Sequence, residues 1–440
     1  FMKVVFYSTN SNYYNTETMD YKMFPSCDSQ WKLIKQKYPQ FEFVVVMQKP
    51  GMFLYDGMEN DFVEYIFVPE NKSSASDIAK IILEQKPEIA IAVTYWVQPF
   101  DWLSIKDSVI AERLRLAGIK CVCHSSKTAA ICFDKYKTHL FLEQNNFNCA
   151  KGVYVHHEMF YAERNKKCIS ENVYREYVFS EIEKLNFPVV IKDTTGLSSF
   201  GMDVVKTFAE AKHILLSKKN NGDRLVEEFL DGDSFGIEVY GTDGNYTISS
   251  VLINSVNQFG LTSPKQNVKL GPVVNSSYKI ESLKSEILRL SKLLNFSGIA
   301  QIDLLYSNDK WYIIEINSRV SGMTQTMAAS YGISLYEMIL FSAGLIQLKE
   351  ENSFVLNMKF PLLTFDELEK MAKINFVYAV NQIENKQAKQ LREVGYTEVI
   401  IANSKNIEEI LEKLDELNLI FSNKMEGIFY NNAKKLAMMI

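Results

Sequence analysis

The stretch GIAQIDLLYSNDKWYIIEINSR, residues 298–319, reads as two strands around a turn. Branched and aromatic apolar residues flank Ser307-Asn308-Asp309, whose polar side chains mark the turn. Successive side chains of an extended chain point to opposite faces, so Glu315, Asn317 and Arg319 share one face while Ile314, Ile316 and Ser318 take the other. If the two arms pair around the turn, Asp303 falls opposite Glu315 or within about one residue of it. Two carboxylates this close repel and raise one pKa, so a cation or a nearby base is the expected compensation. Asp303, Glu315 and Asn317 would supply oxygen ligands of the kind that suit Mg2+, with water and phosphate oxygens completing the octahedron. A solvated sheet face would alternate in the same way, and the stretch alone leaves both readings open.

A chain of 440 residues exceeds one ordinary core, so two or three subdomains are expected. Its 47% apolar and 23% charged residues suit a soluble globular protein. The net charge of −5 argues against a general polyanion-binding surface, so no nucleic-acid partner is expected. No apolar run is long enough to span a bilayer and no leader pattern opens the chain, so no membrane association is expected either. The six cysteines contain no C-x-x-C pair, and Cys121 and Cys123 alternate along an apparent strand as small buried residues would. A reduced, cytoplasmic protein is the expectation. His156 and His157 are adjacent, which is poor spacing for two ligands of one metal.

The first third alternates apolar runs (KVVFYS, FEFVVVM, EYIFVP, EIAIAVTY, KCVCHS) with helical patterns such as SASDIAKIILEQ and DSVIAERLRLAG. This predicts an α/β, doubly wound, mostly parallel sheet over residues 1–125. The loop after KVVFYS has no G-x-G-x-x-G, so a dinucleotide fingerprint is missing there. Residues 126–345 read as α+β and mostly antiparallel, with Asp243-Gly244 the clearest turn. Residues 346–440 carry the strand-like INFVYAV and EVIIAN and the helical NIEEILEKLDELN, predicting a small α/β C-terminal domain.

Two further stretches carry chemistry. In VVIKDTTGLSSFGM, residues 189–202, Lys192 ends an apolar strand before a loop with Gly196, Ser198, Ser199 and Gly201. An ammonium beside glycines that admit close backbone approach can hold phosphates. The lysine precedes the glycines, so this is not a Walker A loop, and alone it reads better as an exposed hairpin. In LVEEFLDG, residues 225–232, a strand passes into acids and then Phe229 and Leu230, which can offer backbone groups to an adenine edge and carboxylates to a ribose. Alone it reads as a strand end.

Taken in order, the lysine strand with its Gly/Ser loop, then VEEFL, then the D…E-x-N-x-R hairpin resemble the ATP-grasp superfamily over residues 131–344. Asp134-Lys135 before a helix resembles that fold's opening. The loop GLSSFGM looks closer to those of D-alanine–D-alanine ligases than to the multi-glycine loops of biotin carboxylases. The first domain resembles the preATP-grasp domain, with residues 126–345 as the ATP-grasp domain and a mobile lid over about 150–230.

The resemblance implies ATP and one or two Mg2+ ions, for which Mn2+ can substitute. Lys135 and Lys192 would contact the phosphates, and the loop with Ser198 and Ser199 would close over them. Residues 227–230 (Glu227, Glu228, Phe229, Leu230) would hold adenine, and Glu228 or Glu238 would reach the ribose. Asp303, Glu315 and Asn317 would hold metal, Asp303 replacing the more usual Glu. Arg319 would stabilise an acyl phosphate and the tetrahedral intermediate after it, which makes Arg319 and Lys192 the catalytic expectations. Ser321-Gly322 would border the acceptor site, with Lys265 or Lys269 approaching it. The implied activity is ADP-producing ligation of a small carboxylate to a small amine, amino acids or similar metabolites, in a chain that can form a homodimer. A bicarbonate-activating enzyme like biotin carboxylase and a non-catalytic nucleotide-binding module are the alternatives.

Overall fold

The computed structural model describes residues 1–8, 19–48, 54–94, 103–164, 167–195, 202–217, 222–256, 267–348, 353–385, 395–421 and 424–440. Its first third holds strands β1 (Met2–Tyr7), β2 (Met19–Phe24), β3 (Phe41–Met47), β4 (Glu64–Phe67), β5 (Ile89–Ala92) and β6 (Lys120–Val122). Then come β7 (Gly152–Val155), β8 (Val189–Asp193), β9 (Met202–Val205), β10 (Arg224–Glu228), β11 (Asp233–Thr242) and β12 (Asn245–Ile248). They are followed by β13 (Leu252–Asn254), β14 (Lys269–Gly271), β15 (Gly298–Ser307) and β16 (Lys310–Asn317). The tail adds β17 (Phe354–Phe360), β18 (Val377–Asn385) and β19 (Gly395–Ser404).

The first sheet has the order β4-β3-β1-β5-β6, and its pairings are parallel. Near-continuous apolar runs follow from that arrangement: Val4 and Phe6 face one side, Val5 and Tyr7 the other, and all four are buried. Helices Ala75–Glu84 and Leu103–Leu116 close one face through Ile78, Ile82, Ile110 and Leu114. Helix Cys27–Lys37 closes the other through Trp31 and Ile34.

A small antiparallel sheet, β7-β10-β8-β9, is backed by helices Val173–Glu183 and Phe208–Leu216. Among the described residues the largest sheet has ten strands and runs β16-β15-β11-β13-β14-β17-β19-β18-β2, with β12 paired to β11. One of its faces, with Ile237, Ile253, Leu356 and Val399, packs on helices Ile280–Leu294 and Ile407–Ile420. The other packs on helices Gly322–Ser330 and Leu335–Ser342, which also meet the first sheet; Trp31 lies 4.5 Å from Tyr336 between ring centres.

Two strands that the sequence pattern did not reveal decide how this sheet extends. β17, FVLNMKF, is buried on both faces, with Leu356, Met358 and Phe360 on one and Asn357 and Lys359 on the other. β2 pairs with β18 at the far edge, which joins a segment of the first third to the tail. The C-terminal strands therefore continue the sheet that carries the 298–319 hairpin. Among the described residues no helix is long and apolar enough to cross a membrane.

Candidate functional site

The β15–β16 hairpin turns at Asn308 and Asp309, with φ of 48° and 61°. Positive φ at both central residues matches the right-handed twist of paired strands. The register places Asp303 opposite Glu315 and Gln301 opposite Asn317. Alternation then sets all four on one face. Gln301 Nε2 donates to Asp303 Oδ1 at 2.7 Å, and Asn317 Nδ2 to Asp303 Oδ2 at 3.4 Å. Arg319 Nη2 donates to Asn317 Oδ1 at 3.3 Å, so the acid, the amide and the base form one connected row.

Lys135 Nζ lies 3.1 Å from Glu315 Oε1. The Asp134 side chain caps the helix Lys135–Gln144 by accepting from the N–H groups of Tyr136 and Lys137, and Lys135 N donates to Thr194 O at 2.8 Å. That last bond ties the helix start to the end of β8, which carries Lys192. Lys192 is buried and forms an ion pair with Glu227 of β10, whose other oxygen is 3.0 Å from His139 Nδ1. Burial acts upward on the Glu227 carboxyl, but Lys192 and His139 outweigh it and hold it below the usual range. Burial also acts upward on Glu315, where Lys135, Lys192 and Arg319 prevail and hold it low. At Asp303 the downward pulls of Lys269, Gln301 and Arg319 are outweighed. Burial first, and then Glu315, push it up to about 7. Two partly buried carboxylates, one of them driven toward protonation by burial and by the other, form a donor set that fits a hard dication, with Asn317 as the amide ligand. Among the described residues no group of three His, Cys, Asp or Glu forms a metal cage, so such an ion would need further oxygens from water or phosphate.

Phe229 and Leu230 link β10 of the small sheet to β11 of the large one. Phe229 N donates to Pro188 O at 3.0 Å. The Glu228 carboxylate accepts from Asn186 N at 3.0 Å and Asn186 Nδ2 at 2.9 Å. Glu238, expected near a ribose, is placed differently. It is fully buried beneath helix Gly322–Ser330, where it accepts from Tyr240 Oη at 2.5 Å, Thr324 Oγ1 at 2.7 Å and Ser321 Oγ at 3.1 Å. Its row, shared with Gln301 and Asn317, runs under that helix, so the carboxylate holds the helix start instead of facing an open cleft. Ser321 caps the helix, and Gly322 is its first residue. Lys269 lies on β14, where burial and Lys359 lower its pKa to about 8. Ser198, Ser199 and the rest of loop 196–201 lie outside the described residues, as does Lys265.

A cavity outside the carboxyl ends of β5 and β6 is lined by Thr94, Ser104, Asp107 and His124, and by Ser318 and Arg319 from the hairpin. The strand order of the first sheet reverses between β1 and β5, where ligands of open α/β sheets gather.

Residues 157–347 match the family model described as the D-ala D-ala ligase C-terminus. The chain is 25% identical over 305 residues to D-alanine–D-alanine ligase B of Clostridium tetani, covering 66% of this chain and 76% of that one. L-amino acid ligase from Bacillus licheniformis matches in structure with a TM-score of 0.63 at 16% identity, over 95% of this chain and 97% of that one. N5-carboxyaminoimidazole ribonucleotide synthetase from Thermus thermophilus matches with a TM-score of 0.61 at 13% identity, over 94% and 97%. The chain is similar to ATP-grasp carboxylate–amine ligases, in sequence over residues 157–347 and in fold over most of its length.

Sequence reasoning missed two residues of the site, His139 beside Glu227 and Gln301 beside Asp303. His139 follows Lys135 by four positions on one helix, so the two share a face, which was a readable signal. Gln301 precedes Asp303 by two positions on a strand and shares its face for the same kind of reason.

Proposed function

We propose that this protein is an ATP-grasp enzyme, an ATP-dependent carboxylate–amine ligase acting on amino acids or related small metabolites. The observation that carries the reading is the connected row Asp303, Glu315, Asn317 and Arg319 beside Lys135, with Lys192 held on a separate sheet. We read residues 1–125 as the preATP-grasp domain, 126–345 as the ATP-grasp domain with its lid at about 150–230, and 346–440 as the C-terminal α/β part. Cytoplasmic location and a homodimer belong to the same reading.

Lys135 and Lys192 contact ATP phosphates, the loop with Ser198 and Ser199 covers them, and Glu227 to Leu230 border adenine. Mg2+ at Asp303, Glu315 and Asn317 neutralises the phosphate oxygens when bound. A substrate carboxylate oxygen attacks the γ-phosphorus and ADP leaves, giving an acyl phosphate. The amine then attacks the acyl carbon, the amide bond forms as phosphate departs, and the amine proton passes to solvent. Arg319 offers its guanidinium to the charge that develops on the acyl and phosphoryl oxygens. Ser321, Gly322 and the Lys269 ammonium border the entering substrate.

The test is an ADP-release assay over pairs of acids and amines, with mass spectrometry of the products. Release of ADP and phosphate is expected only when both substrates are present, and release of AMP would sink the reading. Glu315→Ala is expected to lower turnover by about 10³-fold, since it removes a metal ligand and the partner of Lys135 together. Bicarbonate-stimulated ATP cleavage without an organic acid would instead favour the biotin-carboxylase-like alternative.

A further inference from the structure

Lys192 stands between two acids. It forms an ion pair with Glu227 of β10. At Glu315 of the hairpin, burial acts upward and is opposed first by Lys135 and then by Lys192, so the ammonium is also within electrostatic reach of the metal-ligand row. Phosphates entering that space compete with Glu227 for the same ammonium. How firmly Glu227 holds Lys192 therefore bears on how tightly phosphates are bound.

The Glu227 carboxylate is shared. Register sets Glu227 opposite Gly152 of β7 and Val190 of β8, and Lys192 lies two residues beyond Val190 on the same face, so the ion pair runs diagonally across the small sheet. A Cβ at Gly152 would come within 2.9 Å of Glu227 Cγ, so the glycine leaves room for that side chain. Oε2 faces Lys192, and Oε1 lies 3.0 Å from His139 Nδ1. Against burial, Lys192 and His139 hold Glu227 below the usual carboxylate range, so it can only accept and Nδ1 carries the proton. His139 is 7% exposed and Lys192 5%, so water does not readily replace either partner. His139 reaches Glu227 from helix Lys135–Gln144, one turn after Lys135, which lies 3.1 Å from Glu315 Oε1. One helix face thus contacts the metal-ligand row through Lys135 and the acid that holds Lys192 through His139. A buried carboxylate that loses one partner depends more heavily on the other. Without the Nδ1 bond, Glu227 draws Lys192 more strongly to itself and away from phosphate.

We propose that His139 is a positioning residue for the nucleotide phosphates: by holding Glu227 Oε1 it leaves Lys192 available to them. The inference rests on the reading of Lys192 as a phosphate contact and is independent of which acid and amine are joined.

Equilibrium binding of AMP and of a non-hydrolysable ATP analogue with Mg2+ tests this in the full chain, because the ratio of the two affinities cancels contacts to base and ribose. The parent is expected to prefer the analogue about a hundredfold, and Lys192→Met to lose most of that preference. His139→Leu is expected to lower the preference about tenfold while affinity for AMP stays within about twofold. His139→Asn, whose amide can place a donor where Nδ1 stood, should restore it to within about threefold of the parent. If His139→Leu does not fold, His139→Gln, which carries its amide at the Nε2 position, takes its place with the same expectation. In a Glu227→Gln background the His139→Leu change should alter the preference less than about twofold, since the charge it restrains is gone. A histidine with only a structural role would weaken both nucleotides alike. An unchanged preference in the folded His139 variants overturns the inference, and the Lys192 reading survives if Lys192→Met lowers the preference. If Lys192→Met leaves it unchanged, both fall. A preference that depends on His139 in a protein releasing no ADP with any acid and amine keeps the inference and loses the ligase reading.

Discussion

Asp303 and Glu315 face each other across one ladder yet are shifted in opposite directions, because Lys135 pairs with Glu315 while at Asp303 burial and Glu315 outweigh the pull of Lys269, Gln301 and Arg319. The sign of the resulting pH dependence follows from the pKa of about 7 at Asp303. Below that value a dication must displace a proton to reach the carboxylate; above it the site is already ionised. Apparent Mg2+ affinity in the presence of ADP is therefore expected to rise about tenfold between pH 6 and pH 8 and to level off above that. Titration calorimetry at the two values checks it, and Asp303→Asn should flatten the response. Equal affinity at both pH values in the parent protein would remove the metal assignment of Asp303.

Helix Gly322–Ser330 is the element that brings the row together. Its start is anchored by Glu238 through Ser321 and Thr324, and its body meets β17 and β18 through Thr326 and Gln325. Burial pushes Glu238 up to about 7, against the pull of its hydroxyl donors. In the unfolded chain a Glu titrates near the ordinary value, so between the two pKa values the folded state holds the extra proton. Stability from this group is greatest below the unfolded pKa and falls as pH rises through about 7. The Glu238→Gln protein is expected to gain up to about 3 kcal/mol at pH 8 and to match the parent near pH 4 in urea unfolding. A gain of the same size at both pH values would mean that the carboxylate carries no charge penalty.

His124 joins the first sheet to the hairpin. Its Nε2 is 2.8 Å from Ile299 O, and Ser297 N donates to its Nδ1 at 3.2 Å, which requires a neutral ring with the proton on Nε2. Burial lowers its pKa to about 4. A histidine that stays neutral when folded and ionises when unfolded contributes stability that is full above the unfolded pKa and is lost as pH falls toward about 4. Acidification from pH 7 to pH 4 is expected to cost the whole molecule about 3 kcal/mol from this residue alone. Denaturant unfolding across that range should show the step in the parent protein and lack it in His124→Gln. The interface is broad: the core that contains Trp31 of the first third also contains Met327, Tyr336, Val355 and Ile400.

The order of chemistry-bearing residues was legible without coordinates, because strand alternation and turn chemistry are local. Periodicity of two predicts that Glu315, Asn317 and Arg319 share a face, and the polar triplet at 307–309 predicts the turn that sets Asp303 against Glu315. The parallel first sheet was legible for a related reason: strands buried on both faces leave unbroken apolar runs. Glu238 illustrates the limit. Its position on a strand is local, but whether its carboxylate meets a ribose or a helix start depends on where residues 321–324 come to rest, and no local pattern encodes that. The same holds for Lys359, Glu398 and Asn381, which are scattered polar residues in the sequence and become one row only when strand pairing lays the tail along the sheet that carries Asp303. Side-chain direction along a strand follows from bond geometry alone, whereas neighbours across a sheet are set by long-range pairing that only the folded chain decides.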